Sequence, residues 1–239
     1  MSTERVAYVN GEILPESQAS VSINDRGFLY GDAVFDTTRT FNREIFRLEQ
    51  HLDRLYESLR YMRIDPGMDK TEMKKITMVV LNKNLEVLAD GEDYWVSQRV
   101  TRGVRGLPGG MKPSVVIECF PLPIEDRAEY YRDGIKMITS SIRRTAPESL
   151  SPRAKMHNYI NLIQAELEVQ SQDPKALALL LDVNGNEIYN DIFPYDTGNQ
   201  IWGSPAAGYV DQDNNIDIAI TSKSKHLYVF DENGLKLDY

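Results

Sequence analysis

The sequence predicts an α+β chain of two domains followed by a short all-β tail. Three observations carry that expectation. Between Leu48 and about Asn82, apolar residues recur three and four apart in two successive stretches, while the runs on either side alternate like strands. A proline pair, Pro121 and Pro123, then separates this part from a second strand–helix–strand pattern. Near Asn184–Asn190 the composition changes to short strands and turns rich in Asp, Asn and Gly, with no further helix. The expected boundaries are 1–120 for a small α+β domain, 121–190 for a partial second domain and 191–239 for the tail.

Taken in order, AYVNGEI is a hairpin signal, with apolar residues on both sides of Asn10-Gly11. ASVSIND alternates like a strand and ends at Asp25-Arg26-Gly27. GFLYGDAVFDTTRTFNREIFRL reads as two β-rich runs joined around Phe41–Glu44. Leu48 to Met62 is a helix with Leu52, Leu55, Leu59 and Met62 on one stripe, stopped by Asp65-Pro66-Gly67. Asp69 with Glu72 then caps a second helix, whose apolar members include Met73, Ile76, Val79 and Val80. YWVSQRVTRG and SVVIECF are strands separated by a Gly/Pro-rich turn from Gly103 to Pro113. IKMITSSIRRT is a strand, and ALALLLDVNG is a buried strand ending at a turn. Between them lies SPRAKMHNYINLIQAELEVQ, where Lys155 sits between a proline-broken loop and a helix that draws on Ile160, Ile163, Ala165, Leu167 and Val169 for its core side.

Bulk properties exclude several functions. The chain has 239 residues and a net charge of −9, a field that repels nucleic acid and anionic membranes. Any small anionic ligand must therefore be held by local arginines. Cys119 is the only cysteine, which excludes a disulfide framework and a thiolate metal cluster. The N-terminus has no apolar signal core and no apolar run is long enough to span a bilayer, so the expectation is a soluble cytoplasmic protein.

Several residues have both a chemical and an ordinary reading. Lys155 is anchored by the helix that follows it, as a lysine used as base or nucleophile requires, although loop–helix lysines are commonly solvated. Arg54 on the first helix is either a surface ion-pair member or a bidentate phosphate clamp. Arg39 and Arg102 lie in strands, where an inward arginine needs an anion and an outward one needs none. Tyr30 and Phe35 bracket a Gly31-Asp32 step that admits a close backbone approach, and core packing accounts for both aromatics equally well.

Taken together, DRGFLYGDAVFDTTRTFNREIFRLEQHLDRL, VTRG and KMHNYINLIQA resemble the class IV, fold-type IV aminotransferases, a family that includes branched-chain and D-amino-acid aminotransferases and aminodeoxychorismate lyase. The resemblance is colinear over about residues 4–185. It implies a two-domain fold with the large domain truncated, pyridoxal 5'-phosphate as cofactor, and transamination of an amino acid, of branched-chain type, to a 2-oxo acid. It further implies a homodimer whose sites borrow residues across the interface. Lys155 matches the lysine that forms the internal aldimine, Arg54 the arginine that holds the cofactor phosphate, and Tyr159 the tyrosine beside the phenolic oxygen. Tyr30, Phe35 and Arg39 match residues lining the substrate pocket, and Arg102 resembles a carboxylate-binding arginine of the D-amino-acid branch.

The family continues into a V-T-E-G segment whose glutamate pairs with the pyridine nitrogen. Here DVNGNEIYNDIF puts Tyr189 at that place, with Glu187 two residues earlier on the same side of a strand and about 6–7 Å away. The family's C-terminal phosphate-cradling turns are also missing. The tail instead resembles one blade of an FG-GAP or quinoprotein-like β-propeller. Within it, Asp211, Asp213, Asn215 and Asp217 have alternating oxygen spacing, but Ile216 and Ser222 exclude an EF-hand, leaving a solvated acidic turn or a calcium loop of another kind. Two alternatives to an active aminotransferase follow: a remnant or chimera impaired by these losses, and a propeller-type binding module.

Overall fold

The computed structural model describes residues 4–105 and 112–182, together with four tail strands between 206 and 238. Two compact units divide the chain. One comprises Met1–Arg127 with Thr145–Gln164, the other Ala128–Arg144 with Ala165–Tyr239. The Lys155 segment, placed within 121–190 by the sequence pattern, thus packs with the first unit.

The first unit is built on a six-stranded antiparallel sheet. Its strands are β1 (Val6–Val9), β2 (Glu12–Pro15), β3 (Ala33–Phe41), β4 (Glu44–Ile45), β5 (Tyr94–Thr101) and β6 (Ser114–Pro121), in the spatial order β2-β1-β6-β5-β3-β4. The Asn10-Gly11 turn joins β1 to β2 as expected, with both residues at positive φ. Two helices cover one face. Helix α2 (Leu48–Met62) lies on β3, and α3 (Lys70–Leu85) lies on β1 and β6. The Asp69 side chain accepts from the Glu72 amide at 2.8 Å, the N-cap that the Asp69/Glu72 pair announces. Leu52, Leu55 and Leu59 from α2 and Met73, Val80 and Leu81 from α3 meet Val34, Val96, Val100, Val115 and Ile117 of the sheet in one apolar core. Val34, Asp36, Thr38 and Thr40 are buried, while Phe35, Thr37 and Arg39 alternate with them on the opposite, open face.

Local departures from the sequence pattern have local causes. The alternating run Ala19–Asp25 forms no strand, and Gly27–Tyr30, read as strand, lies in a five-residue helix α1 (Arg26–Tyr30). Asp25 decides this: its carboxylate accepts the Gly27 amide at 2.7 Å, so a cap is made where alternation would have continued the strand. Gly31 then ends α1 in the left-handed region (φ 67°), and a Cβ there would meet nothing within 4 Å. Within this chain its role is the turn.

In the second unit, β7 (Met137–Thr139) and β8 (Leu177–Leu179) pair in parallel. The tail strands β9 (Ala206–Gly208), β10 (Asp217–Thr221), β11 (Leu227–Asp231) and β12 (Gly234–Asp238) form an antiparallel meander in the order β12-β11-β10-β9. Helix α4 (Ile124–Asp133) follows the Pro121–Pro123 link, where no helix was expected. Helix α5 (Ile160–Gln170) follows Lys155 as expected, but only part of its apolar set is buried. Ala165 and Val169 are inside, whereas Ile160, Ile163 and Leu167 are exposed. Glu187, Tyr189 and the acidic run Asp211–Asn215 lie outside the described residues, and Asp217 is described only as the start of β10.

Candidate active site

The site grows from the edge of β3. Residues 155–157 run antiparallel to Ala33–Phe35: the Phe35 amide donates to the Lys155 carbonyl and the His157 amide to the Ala33 carbonyl, each at 3.0 Å, with Val34 opposite Met156. Strand alternation then sorts the side chains. Val34 and Met156 go into the core, leaving Lys155 and His157 on the open face with Phe35. The Lys155 Nζ lies 4.2 Å from the centroid of the Phe35 ring and donates to the Tyr159 hydroxyl at 3.2 Å. The Phe35 ring also meets His157 edge-on at 5.1 Å and Tyr159 at 5.6 Å.

On the other side of Phe35, β5 places Arg99 directly opposite. The Arg99 guanidinium carbon is 5.3 Å from the Phe35 centroid, and its Nε donates to Glu118 on β6 at 2.5 Å. His157 is pushed down to about 4, first by burial and then by the nearby Arg99 charge, against a smaller upward pull from Asp25. It is therefore a neutral imidazole near neutral pH, and its Nε2 is buried without a hydrogen-bond partner.

Arg54 approaches from α2. It makes a two-pronged pair with the fully buried Asp36, Nε at 2.7 Å and one Nη at 2.9 Å, and His51 Nδ1 shares the same carboxylate at 2.7 Å. The Asp36 hydrogen bond raises the Arg54 pKa, and the Arg54 side chain stays half-exposed. Arg54 is joined to the Lys155 segment through Ser58, whose hydroxyl donates to the Arg54 carbonyl and accepts the Lys155 amide.

Lys155, Tyr159, Phe35 and Arg54 are therefore gathered around one end of β3. The other three predicted residues have different surroundings within this chain. Arg39 shares the open face with Phe35 but lies four residues along β3, about 13 Å away. Its Nε donates to the Thr40 carbonyl, its guanidinium stacks 3.9 Å from the Phe41 centroid, and it pairs with Asp93 at 3.6 Å. Arg102 is committed to the protein itself: it forks onto Asp32 at 2.8 and 3.0 Å and donates to the Met62 and Arg63 carbonyls that end α2. Within this chain the fork of Arg102 is taken up by Asp32, so a substrate carboxylate would compete with that pair. Tyr30 is exposed at the end of α1, accepting from Arg105 at 3.2 Å with Arg26 over its ring. A separate cavity of about 640 Å³ between the β1–β2 hairpin and α3, lined among others by Tyr8, Ile13, Glu72 and Lys75, holds none of the predicted residues.

Four contributors were not singled out from sequence: Arg99, Glu118, Asp36 and Ser58, whose hydroxyl accepts the Lys155 amide. The alternation of Trp95, Ser97 and Arg99 would have put Arg99 on the open face, but not opposite Phe35.

Comparison with known proteins bears on the whole arrangement. The family model for amino-transferase class IV matches residues 33–189. A Methanocaldococcus jannaschii protein named "Putative branched-chain-amino-acid aminotransferase" is 35% identical over 182 residues, 74% of this chain and 60% of that protein. The aminodeoxychorismate lyase of Bacillus subtilis is 30% identical over 180 residues, covering 74% and 59%. Among solved structures, a hypothetical aminotransferase from Mycobacterium tuberculosis in its PLP-bound form superposes with a TM-score of 0.63 at 20% identity, over 75% of this chain and 62% of that one. The chain thus spans about 60% of the length of these relatives. With about two thirds of its length matched by the family model, the chain belongs to the amino-transferase class IV family.

Proposed function

We propose that the chain binds pyridoxal 5'-phosphate at Lys155 and transaminates an amino acid, of branched-chain type, to its 2-oxo acid. The observation that carries this reading is the placement of Lys155 Nζ over the Phe35 ring and against the Tyr159 hydroxyl, at the end of β3 that also holds Arg54. The residues fit the cofactor. Lys155 offers an amine on an open face beside an apolar ring, Tyr159 offers a phenol beside it, and Arg54 keeps a half-exposed guanidinium for a phosphate. When bound, pyridoxal 5'-phosphate withdraws electrons from the substrate's α-carbon. The chain supplies the rest. The Lys155 amine takes the proton from that carbon and returns one, and Tyr159, at 3.2 Å, steers the amine. Phe35 forms an apolar wall that keeps water from the reacting face.

The same reading includes a homodimer and a cytoplasmic setting. Val21, Ile23, Phe28, Leu29 and Tyr30 expose a run of large apolar side chains around α1, the kind of surface a second copy would cover. Tyr30 would then reach the partner's site. Among the described residues no helix is long and apolar enough to cross a membrane.

The test is direct. Protein incubated with pyridoxal 5'-phosphate and reduced with borohydride is digested, and the modified peptide is located by mass spectrometry. A pyridoxyl mass on Lys155, lost in Lys155→Ala, is the expected result. Modification spread over surface lysines, or none at all, removes the proposal. Turnover of leucine or alanine with a 2-oxo acid then checks the reaction itself.

A further inference from the structure

The backbone of Lys155 is fixed at both of its polar groups. Its carbonyl accepts from the Phe35 amide on β3, and its amide donates to the Ser58 hydroxyl on α2, each at 3.0 Å. The Ser58 hydroxyl donates in turn to the carbonyl of Arg54, one helical turn earlier, at 2.9 Å. Arg54 then forks onto Asp36, the residue that follows Phe35. These contacts close a ring that runs from Lys155 through Ser58, Arg54, Asp36 and Phe35 back to Lys155. Ser58 joins segments 97 residues apart and is almost completely buried, so no water stands ready to replace its hydroxyl.

We propose that Ser58 is a positioning residue that sets the distance between Lys155 and Arg54, so that one ligand with an aldehyde at one end and a phosphate at the other engages both. The inference rests on the cofactor reading above and deepens it by naming what keeps the two ends in register. A ligand held at two points gains from the second contact only if the spacing is fixed beforehand. A ligand lacking the phosphate uses Lys155 alone and is indifferent to that spacing. The quantity that reports on Ser58 is therefore the preference for pyridoxal 5'-phosphate over pyridoxal, not the affinity for either.

Thr77 provides the control. It is a fully buried hydroxyl on α3 that donates to the Met73 carbonyl one turn earlier, as Ser58 does on α2. Its other partner is the Gln98 side chain, and it has no link to Lys155. Thr77→Val thus removes a comparable buried hydroxyl without opening the ring.

The experiment measures equilibrium binding of pyridoxal 5'-phosphate and of pyridoxal to the wild-type chain, Ser58→Ala, Ser58→Cys and Thr77→Val, with borohydride trapping at Lys155 on the same samples. Backbone hydrogen exchange at the Lys155 amide is followed in the cofactor-free proteins. The expected result is a preference for the phosphorylated form that falls about 5- to 20-fold in Ser58→Ala, as for loss of one fixed hydrogen bond, and by less than twofold in Thr77→Val. The Lys155 amide should exchange faster in Ser58→Ala and at the wild-type rate in Thr77→Val. Ser58→Cys, which keeps a weaker donor and acceptor, should fall between Ser58→Ala and wild type.

An unchanged preference in Ser58→Ala, or an equal fall in Thr77→Val, overturns the proposal while leaving the cofactor reading in place. A wild-type chain that traps no cofactor at Lys155 removes the cofactor reading, and this inference with it. The two failures are separable because the first is read in a protein that traps and the second in one that does not. Thermal unfolding of each variant shows whether it is folded, and where Ser58→Ala is not, the comparison is read from Ser58→Cys, whose preference should still fall below wild type while that of Thr77→Val does not.

Discussion

The carboxylate of Asp36, with no exposure of its own, receives two nitrogens of the half-exposed Arg54 and the Nδ1 of His51. The buried anion thus sets the direction of a guanidinium whose other side faces water. Asp36→Asn keeps the shape and removes the charge. Removing one partner of a buried pair costs about 3–5 kcal/mol, but Arg54 is half in water and recovers hydration, so a loss near 2–3 kcal/mol is expected. Affinity for pyridoxal 5'-phosphate should fall more than affinity for pyridoxal, because Arg54 loses its fixed orientation. Equal loss for both cofactor forms would show that Asp36 does not orient a phosphate ligand.

Arg102 ties β5 to the end of α2 through Asp32 and the Met62 and Arg63 carbonyls. Arg102→Leu strands these acceptors, although Asp32 keeps its bond to Arg26. A loss of about 1–3 kcal/mol is expected, read as a lower urea midpoint. The affinity for 2-oxo acids should be unaltered. A selective fall in that affinity at unchanged stability would show instead that Arg102 binds the substrate carboxylate.

What could be read in advance followed local rules. The span Leu48–Met62, the Asp69 cap and the Asn10-Gly11 hairpin depend on residues a few positions apart, and each formed as the pattern required. Lys155 was conspicuous because the helix following it is. The fates of the arginines were not legible, because each depends on which residue lies opposite. Arg102 and Arg99 are three apart on β5 or its end, so alternation sends them to opposite faces; only the β3–β5 register shows that one meets Asp32 and the other Phe35. Likewise Asp25, in a run that alternates like a strand, bonds Gly27, Thr101 and Ser114, and two of those partners lie more than seventy residues away.

Gly103 marks how closely the chain passes itself beyond β5. Its φ is 96°, and a Cβ would sit 1.8 Å from the Lys112 carbonyl oxygen, which is backbone and cannot swing aside. Gly103→Ala combines a disfavoured φ with that clash, and a loss of about 2–4 kcal/mol is expected. The neighbouring Arg26–Gly103 backbone bond should open with it, seen as faster hydrogen exchange at the Arg26 amide. A melting temperature equal to wild type would show that the Gly103–Lys112 approach is absent in solution.

His157 gives the site a pH dependence whose sign is fixed. Burial first, then Arg99, hold its folded pKa near 4, while the unfolded chain titrates at the ordinary value of 6.5. Between those values the unfolded state carries more protons than the folded state, so stability rises with pH across the window. Above about 6.5 the residue is neutral in both states and adds no slope; as pH falls toward 4 the folded chain is penalised for keeping it neutral. Burial pushes the Asp32 carboxyl up, but Arg102 and Arg26 together hold it below its ordinary value, so it too loses its contribution in acid. The wild-type curve therefore mixes several groups, and the informative quantity is the difference between wild type and His157→Leu. Measured by urea unfolding at a series of pH values, wild type should lose ground to the variant as pH is lowered from 6.5 to 4, and the difference should be flat above 7. Parallel curves throughout would mean that His157 is solvated or takes up its proton in the folded state.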